Sequence, residues 1–327
     1  MNKLIHLAKE KCMQGITLSK DEIIQLLSIP MHSDEDYLLR KTAREIASIK
    51  TNNKGYIWSA IGLDFAPCPM NCKFCSFGDK WNIVKEKRIL TNEEIISRVK
   101  IQVENGAHYI VLRTTEFFSI SDLINLVQKI KTEITGQYRV VLNVGEFDLE
   151  TANRLYESGV WGIYHAIRLR EGIDTYFNVE IRQQTQIAVM NSPLQLITLV
   201  EPIGIEHTNE EIASIFLTNV QKNTYINGAM ARVPVIGTPL GDKEPLSSER
   251  LAQIIAVLRL SGGNTVKDIC VHPATTEAFN SGANVMVVET GAIPRDSKYT
   301  AEDWAQVSIQ SAHKVLQNAN YETTHHF

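Results

Sequence analysis

The sequence predicts an α/β protein built as a closed (β/α)8 TIM-type barrel with an N-terminal helical extension. Two observations predict it. From Tyr56 onward, short β-branched runs alternate with amphipathic helical stretches, and the alternation repeats through eight units. Strands separated in this way must run parallel and be joined by crossovers, and eight such units over roughly 250 residues suit a closed barrel. A doubly wound open sheet is the other architecture that this alternation allows.

Residues 1–50 read as helices. Ser19 followed by Glu22 makes a capping box ahead of Ile23, Ile24, Leu26 and Leu27, and Asp36 precedes a second apolar-periodic run through Ile46. Strands are expected over 56–63, 108–114, 138–145, 161–169, 195–201, 229–236, 266–272 and 284–289. Among the helices between them, Thr91 with Glu94 and Thr208 with Glu211 form capping boxes, and Asp148 is an N-cap. Gly106, Gly159 and Gly262 stand near helix ends. No low-complexity linker or repeat divides 51–327, which is read as one barrel domain with a C-terminal helix.

Composition narrows the function. The chain has 327 residues, 44% hydrophobic and 21% charged, enough for a large core. Its 33 basic and 37 acidic residues are finely mixed and leave a net charge of −4. No basic run is present to neutralise a phosphate backbone or an anionic membrane, so neither nucleic acid nor membrane is expected as a partner. The start, MNKLIHLAKEKCMQG, lacks the apolar core of a signal peptide, and no stretch reaches the ~18 apolar residues of a membrane span, so a cytoplasmic location is expected.

Three of the five cysteines fall within eight positions, in Ala66-Pro67-Cys68-Pro69-Met70-Asn71-Cys72-Lys73-Phe74-Cys75-Ser76-Phe77-Gly78. This Cys-x3-Cys-x2-Cys spacing suits a metal site in a reducing compartment better than a disulfide framework. Soft thiolates favour zinc or an iron–sulfur cluster. A structural zinc site closes with four ligands, typically in paired elements, and no second pair is present. Three thiolates on a four-iron cluster leave one iron open. The loop directly follows the first strand, at the barrel end where reactive groups gather.

The spacing, with an aromatic residue before the last cysteine, resembles the signature of the radical S-adenosylmethionine (SAM) enzymes. The likeness covers about residues 50–295 and is nearest to the branch holding biotin synthase, HydE and methylornithine synthase. Val235-Ile236-Gly237-Thr238-Pro239-Leu240 is similar to the Lys-Gly-Thr-Pro-Leu region of that branch, and Ser281-Gly282-Ala283-Asn284 to its Ala-Gly-Ala-Asn turn. The resemblance implies a [4Fe–4S] cluster on Cys68, Cys72 and Cys75, with SAM chelated to the open iron. One-electron reduction then yields methionine and a 5′-deoxyadenosyl radical. It also implies oxygen sensitivity and a flavodoxin- or ferredoxin-type electron donor.

The same resemblance implies SAM contacts. Phe74 would lie beside the adenine. Thr114-Thr115-Glu116 stands where the family often has Gly-Gly-Glu, so Glu116 and Thr114 would accept hydrogen bonds from the methionine ammonium. Glu171, in Arg168-Leu169-Arg170-Glu171-Gly172, would reach the ribose or methionine end, and Arg182 would meet the methionine carboxylate. Glu201-Pro202-Ile203-Gly204 closes the fifth strand at the family's adenine and ribose loop, which makes Glu201 and Gly204 candidates.

Candidate groups for chemistry inside the barrel are Arg168, His165, Arg232 and His272, with Arg113 and Glu146 also at strand ends. A guanidinium is costly to bury alone, so an inward Arg168 or Arg232 would imply an anionic small-molecule substrate. Biotin synthase holds an auxiliary cluster on interior cysteines, whereas the remaining thiols here are Cys12 and Cys270, far apart in sequence. Sulfur insertion would therefore need a partner subunit. A metal-stabilised binding protein is the non-enzymatic alternative.

Overall fold

The computed structural model describes residues 2–291, 307–324 and 327. Eight parallel strand positions close into a barrel: β1 Tyr56–Gly62, β2 Tyr109–Arg113, β3 Arg139–Asn143, β4 Val160–Tyr164, β5 in two segments Gln195–Ile197 and Val200–Ile203, β6 Ile226–Ala231, β7 Asp268–His272 and β8 Val285–Gly291. Closure comes from β8, which pairs with β1 from Tyr56↔Val285 to Gly62↔Gly291. That pairing excludes the open sheet.

Strand alternation sorts the side chains between two cores. In β1, Ile57 and Ile61 join the outer core under the helices, while Tyr56, Trp58 and Ala60 face the interior. In β2, Ile110 and Leu112 point out and Tyr109 and Val111 point in. In β8, Met286 and Val288 point out and Val285 and Val287 point in. The interior is plugged by aromatic rings: Trp58 meets Tyr164 edge-on at 5.6 Å, and Trp161 meets Tyr225 at 4.7 Å with an 89° tilt. These rings form a floor, so open space for a ligand lies toward the carboxyl ends of the strands.

The helices are α1 Asn2–Met13, α2 Lys20–Leu27, α3 Asp34–Thr51, α4 Asn92–Glu104, α5 Ile120–Glu133, α6 Leu149–Glu157, α7 Val179–Met190, α8 Asn209–Gln221, α9 Ser248–Ser261, the short α10 Thr276–Phe279, and α11 Ile309–Asn318. All three expected capping boxes form, and Asp148 caps α6. Gly106 and Gly159 follow helix ends with φ of 92° and 104°. Gly262 has φ of −83° and serves packing instead, because a Cβ there would lie 2.2 Å from Val266. Helices α1–α3 cover α9. Leu18 N–H donates to Ser261 O at 3.0 Å, Gln253 donates to Ile29 O at 2.9 Å, and Arg250 donates to Leu27 O at 2.7 Å. Their apolar residues merge with the outer core of the barrel.

Three strand expectations are corrected. The run 161–169 is a strand only to Tyr164, because beyond it the chain turns into the loop that carries the charged site. The run 229–236 begins and ends early, at Ile226 and Ala231, with Val233–Val235 in a loop. The fifth strand is broken, and Pro202, which has no N–H to give, stands in its second segment. A two-stranded antiparallel ribbon, Asp64–Phe65 with Arg88–Ile89, flanks the cysteine loop and was not expected. Among the described residues, no helix is long and apolar enough to cross a membrane.

Candidate active site

The cysteine loop is fixed by its own backbone and by two neighbouring loops. Cys68 N–H donates to Phe77 O at 2.6 Å, Asp79 N–H to Cys68 O at 3.1 Å, and Cys75 N–H to Cys72 O at 3.0 Å. Asn71 takes a left-handed φ of 44°, which asparagine tolerates, and its side chain bonds Pro69 O at 2.8 Å and Lys80 N–H at 2.9 Å. The Trp81 indole donates to Cys72 O at 3.2 Å and fills the space where a Cβ on Gly78 would sit. From the loop after β4, Asp174 binds both the Lys73 N–H at 2.8 Å and its ammonium at 2.9 Å. From the loop after β6, Leu240 N–H donates to Lys73 O at 3.0 Å. The Gly-Thr-Pro-Leu stretch thus acts as a clamp on the cysteine loop.

Cys72 is buried, and Cys68 and Cys75 are half-buried. Burial pushes the Cys68 thiol up to about 11 and the Cys72 thiol up to about 12, with Arg168 acting in the opposite sense on Cys72. Thiolates in such surroundings need a bound cation to hold their charge, and three sulfur donors on one braced loop fit a [4Fe–4S] cluster.

Beside this loop lies a charged network on the loops after β2, β3 and β4 and on α7. Glu171 accepts the Arg168 N–H at 2.9 Å and the Thr175 hydroxyl at 2.6 Å, and lies 3.2 Å from Arg182 Nε. Arg182, 3% exposed, donates through Nη1 to Glu146 at 2.8 Å and through Nη2 to Ala166 O at 2.7 Å. Its guanidinium sits 4.6 Å above the Phe177 ring. These bonds engage both terminal nitrogens of Arg182, while Nε makes no hydrogen bond.

Arg168 is less engaged: its guanidinium lies 3.3 Å from Glu171 and 4.0 Å from Glu201. It acts electrostatically on Glu171, Cys72, Glu116 and Cys75. Burial, aided by the charge of Glu146 and opposed by Arg182 and Arg168, raises Glu116 to about 7. Glu116 is half-buried, and its carbonyl passes so close to Gly145 that a Cβ there would lie 2.3 Å from it. Thr114 N–H pairs with Asn143 O at 3.0 Å, and Asp64 receives the Thr115 N–H at 2.7 Å. Phe74 is half-buried on the cysteine loop.

The other candidates are placed differently from expectation. His165 is fully buried facing α7, with Nε2 3.1 Å from Glu146, and burial makes it harder to protonate. It supports Glu146 and does not line the barrel. Arg232 is salt-bridged to Glu206 by both Nη atoms, so its charge already has a counter-ion. The guanidinium occupies the space beside Gly204 where a side chain would stand, and Gly204 N–H donates to His207 at 2.9 Å. Arg232 therefore gives no support for an anionic substrate. Glu201 accepts from the Tyr164 hydroxyl, and His272 is buried at the carboxyl end of β7. Cys12 is buried in α1 and Cys270 in β7, and neither adds to the cysteine loop.

Sequence reasoning missed Asp64, Asp174, Tyr164, Glu206 and Glu289. Each is an acid or tyrosine whose partner lies far away in the chain, and no local spacing marks such a pair.

The sequence pattern of the radical SAM superfamily matches residues 66–169, which hold the cysteine loop, Glu116 and Arg168. Over these residues the chain is similar to the radical SAM superfamily. Within it, the likeness is to the biotin synthase branch. Biotin synthase of Persephonella marina is 24% identical over 83% of this chain and 84% of that protein. Biotin synthase of Clostridium botulinum strain Hall is 24% identical over 96% of this chain and 98% of that protein. The fold is that of methylornithine synthase (PylB), with a TM-score of 0.82 and 18% identity over 97% of both chains. HydG, a maturase of [FeFe]-hydrogenase, superposes with a TM-score of 0.81 and 15% identity over 98% of this chain and 76% of that one. As a radical SAM enzyme, the protein uses a [4Fe–4S] cluster and SAM.

Proposed function

We propose that this enzyme abstracts a hydrogen atom from a small organic substrate bound in the barrel, during the biosynthesis of a cofactor or an unusual amino acid. The observation that carries the reading is the meeting of the cysteine loop with Arg168, Glu171 and Glu116 at the mouth of a barrel whose floor is sealed by aromatic rings. When bound, the cluster and SAM supply a 5′-deoxyadenosyl radical. The residues of the chain do the rest. Cys68, Cys72 and Cys75 hold the cluster, and Arg168 replaces Arg182 as the group that meets the methionine carboxylate. Glu116 and the Thr114 oxygens accept from the ammonium. Glu171 orients Arg168, while Arg182 and Glu146 brace Glu171 and α7. The aromatic floor excludes water and confines the reacting carbon near the radical.

The test is anaerobic incubation of reduced, cluster-loaded protein with SAM. Formation of 5′-deoxyadenosine and methionine in equal amounts is expected. No 5′-deoxyadenosine above a cluster-free control, at full iron loading, would overturn the reading.

The biotin synthase likeness favours a second reading, sulfur insertion, with a partner subunit bringing the sulfur because Cys12 and Cys270 are too separate to hold a second cluster. A flavodoxin- or ferredoxin-type protein is the electron donor in either case.

A further inference from the structure

We propose that Asp64 is a positioning residue for SAM: it fixes the turn that carries Glu116, and so aims that carboxylate at the ammonium of SAM held on the cysteine loop. The inference deepens the role given to Glu116 above and rests on it.

Asp64 lies between the end of β1 and Cys68, in the short ribbon with Arg88–Ile89. It is 6% exposed, and its two oxygens take two donors of one residue: Oδ1 accepts the Thr115 N–H at 2.7 Å and Oδ2 accepts the Thr115 hydroxyl. A buried carboxylate is costly unless its oxygens are bonded, and here both bonds go to the loop after β2. The Thr115 carbonyl is engaged as well, by the Phe118 N–H at 3.4 Å and by the Thr114 hydroxyl at 2.9 Å. Thr115 is therefore the first residue of a turn over 115–118, held at its N–H, its side chain and its carbonyl. Glu116 is the next residue, and its own carbonyl lies against Gly145, where a Cβ would come within 2.3 Å of it. The turn is confined by Asp64 and by the Gly145 backbone.

Among the described residues no hydrogen bond or ion pair holds the Glu116 side chain, so its aim depends on this backbone. Glu116 acts electrostatically on Cys68 and Arg168. The ribbon also reaches the cysteine loop. Phe65, which follows Asp64 and points to the other face of the ribbon, stacks on Phe77 with ring centroids 6.5 Å apart and a 21° tilt. Two neighbouring residues thus tie the loop that carries the thiolates to the turn that carries Glu116. An ammonium is held only at hydrogen-bond distance, and a displacement of about 1 Å at the turn would lose the contact.

The test is equilibrium dialysis of SAM against oxidised, cluster-loaded protein, with iron content measured on every sample and no reductant present. Asp64→Ala removes both acceptors and should weaken SAM binding about 10-fold or more at full iron loading. Asp64→Asn should stay within about 3-fold of the unaltered protein, because its carbonyl still accepts the N–H and its amide can donate to the hydroxyl oxygen. Glu116→Gln should weaken binding about 10- to 100-fold, and adding Asp64→Ala to it should change little further, since two residues acting through one contact are not additive. Unchanged affinity in Asp64→Ala, an Asp64→Asn variant as weak as Asp64→Ala, or losses that multiply in the double variant would overturn the proposal. If Asp64→Ala loses iron, Thr115→Val decides in its place: loss of the hydroxyl alone should weaken binding about 5- to 10-fold, and no change would overturn the proposal. Unchanged affinity in Glu116→Gln would refute the role of Glu116 and the proposal with it, whereas a loss from Glu116→Gln without one from Asp64→Ala refutes the proposal alone.

Discussion

Arg182 meets Glu146, the Ala166 carbonyl and Glu171, and each contact engages a part of the guanidinium that a ligand would otherwise meet. Arg168, on the loop before α7, keeps more of its capacity and acts electrostatically on Cys72 and Cys75. The two arginines should therefore fail differently. Arg182→Ala strips the counter-charge from two carboxylates and should cost about 3–5 kcal/mol of stability, as breaking a buried ion pair does, read from denaturant unfolding. Arg168→Ala should weaken SAM binding by about one to two decades, the loss of a charge-assisted hydrogen bond, with a smaller stability change. Equal effects of both on SAM affinity at unchanged stability would restore the sequence-based role of Arg182. A motif position indicates which residue stands at the end of which strand. It does not indicate that Glu146 or Glu206 arrives from another loop to occupy the donors.

At the scale of elements, the loop after β6 holds the cysteine loop through the Leu240 amide, and its tight turn depends on Gly241, where a Cβ would lie 2.0 Å from the Val235 carbonyl oxygen. Gly241→Ala must displace backbone rather than a flexible side-chain tip. The expected outcome is lower iron retention after reconstitution, with the secondary structure by circular dichroism preserved; full iron loading would show that the clamp is dispensable. The sequence allowed this segment to be matched to a family pattern but gave no hint of its contact with Lys73, which is made entirely by backbone atoms. Caps were more legible, because Ser19, Thr91 and Thr208 each close a box within three residues of chain. Strand ends were less so. At 161–169 and 229–236 the apolar composition outruns the pairing, and the chain leaves the sheet to build the site.

For the whole molecule, eight alternating units closing on themselves were readable from periodicity, since parallel strands with crossover helices have few other ways to pack. The sorting of side chains between the outer core and the aromatic interior was not readable, because both faces of a barrel strand are buried and its sequence carries little alternation. The same burial hid Arg113 and Glu289 as partners. The cysteine loop was the most legible feature of all, and everything proposed for the barrel mouth depends on it as the sole thiolate set carrying the cluster. The direct measurement is iron and sulfide content after anaerobic reconstitution, in the unaltered protein and in a variant with Cys68, Cys72 and Cys75 all changed to alanine. About four irons falling to essentially none is the result expected of a single [4Fe–4S] centre on these cysteines. Two or more irons kept by the triple variant would contradict it, reveal a second cluster, and put sulfur insertion ahead of hydrogen abstraction alone.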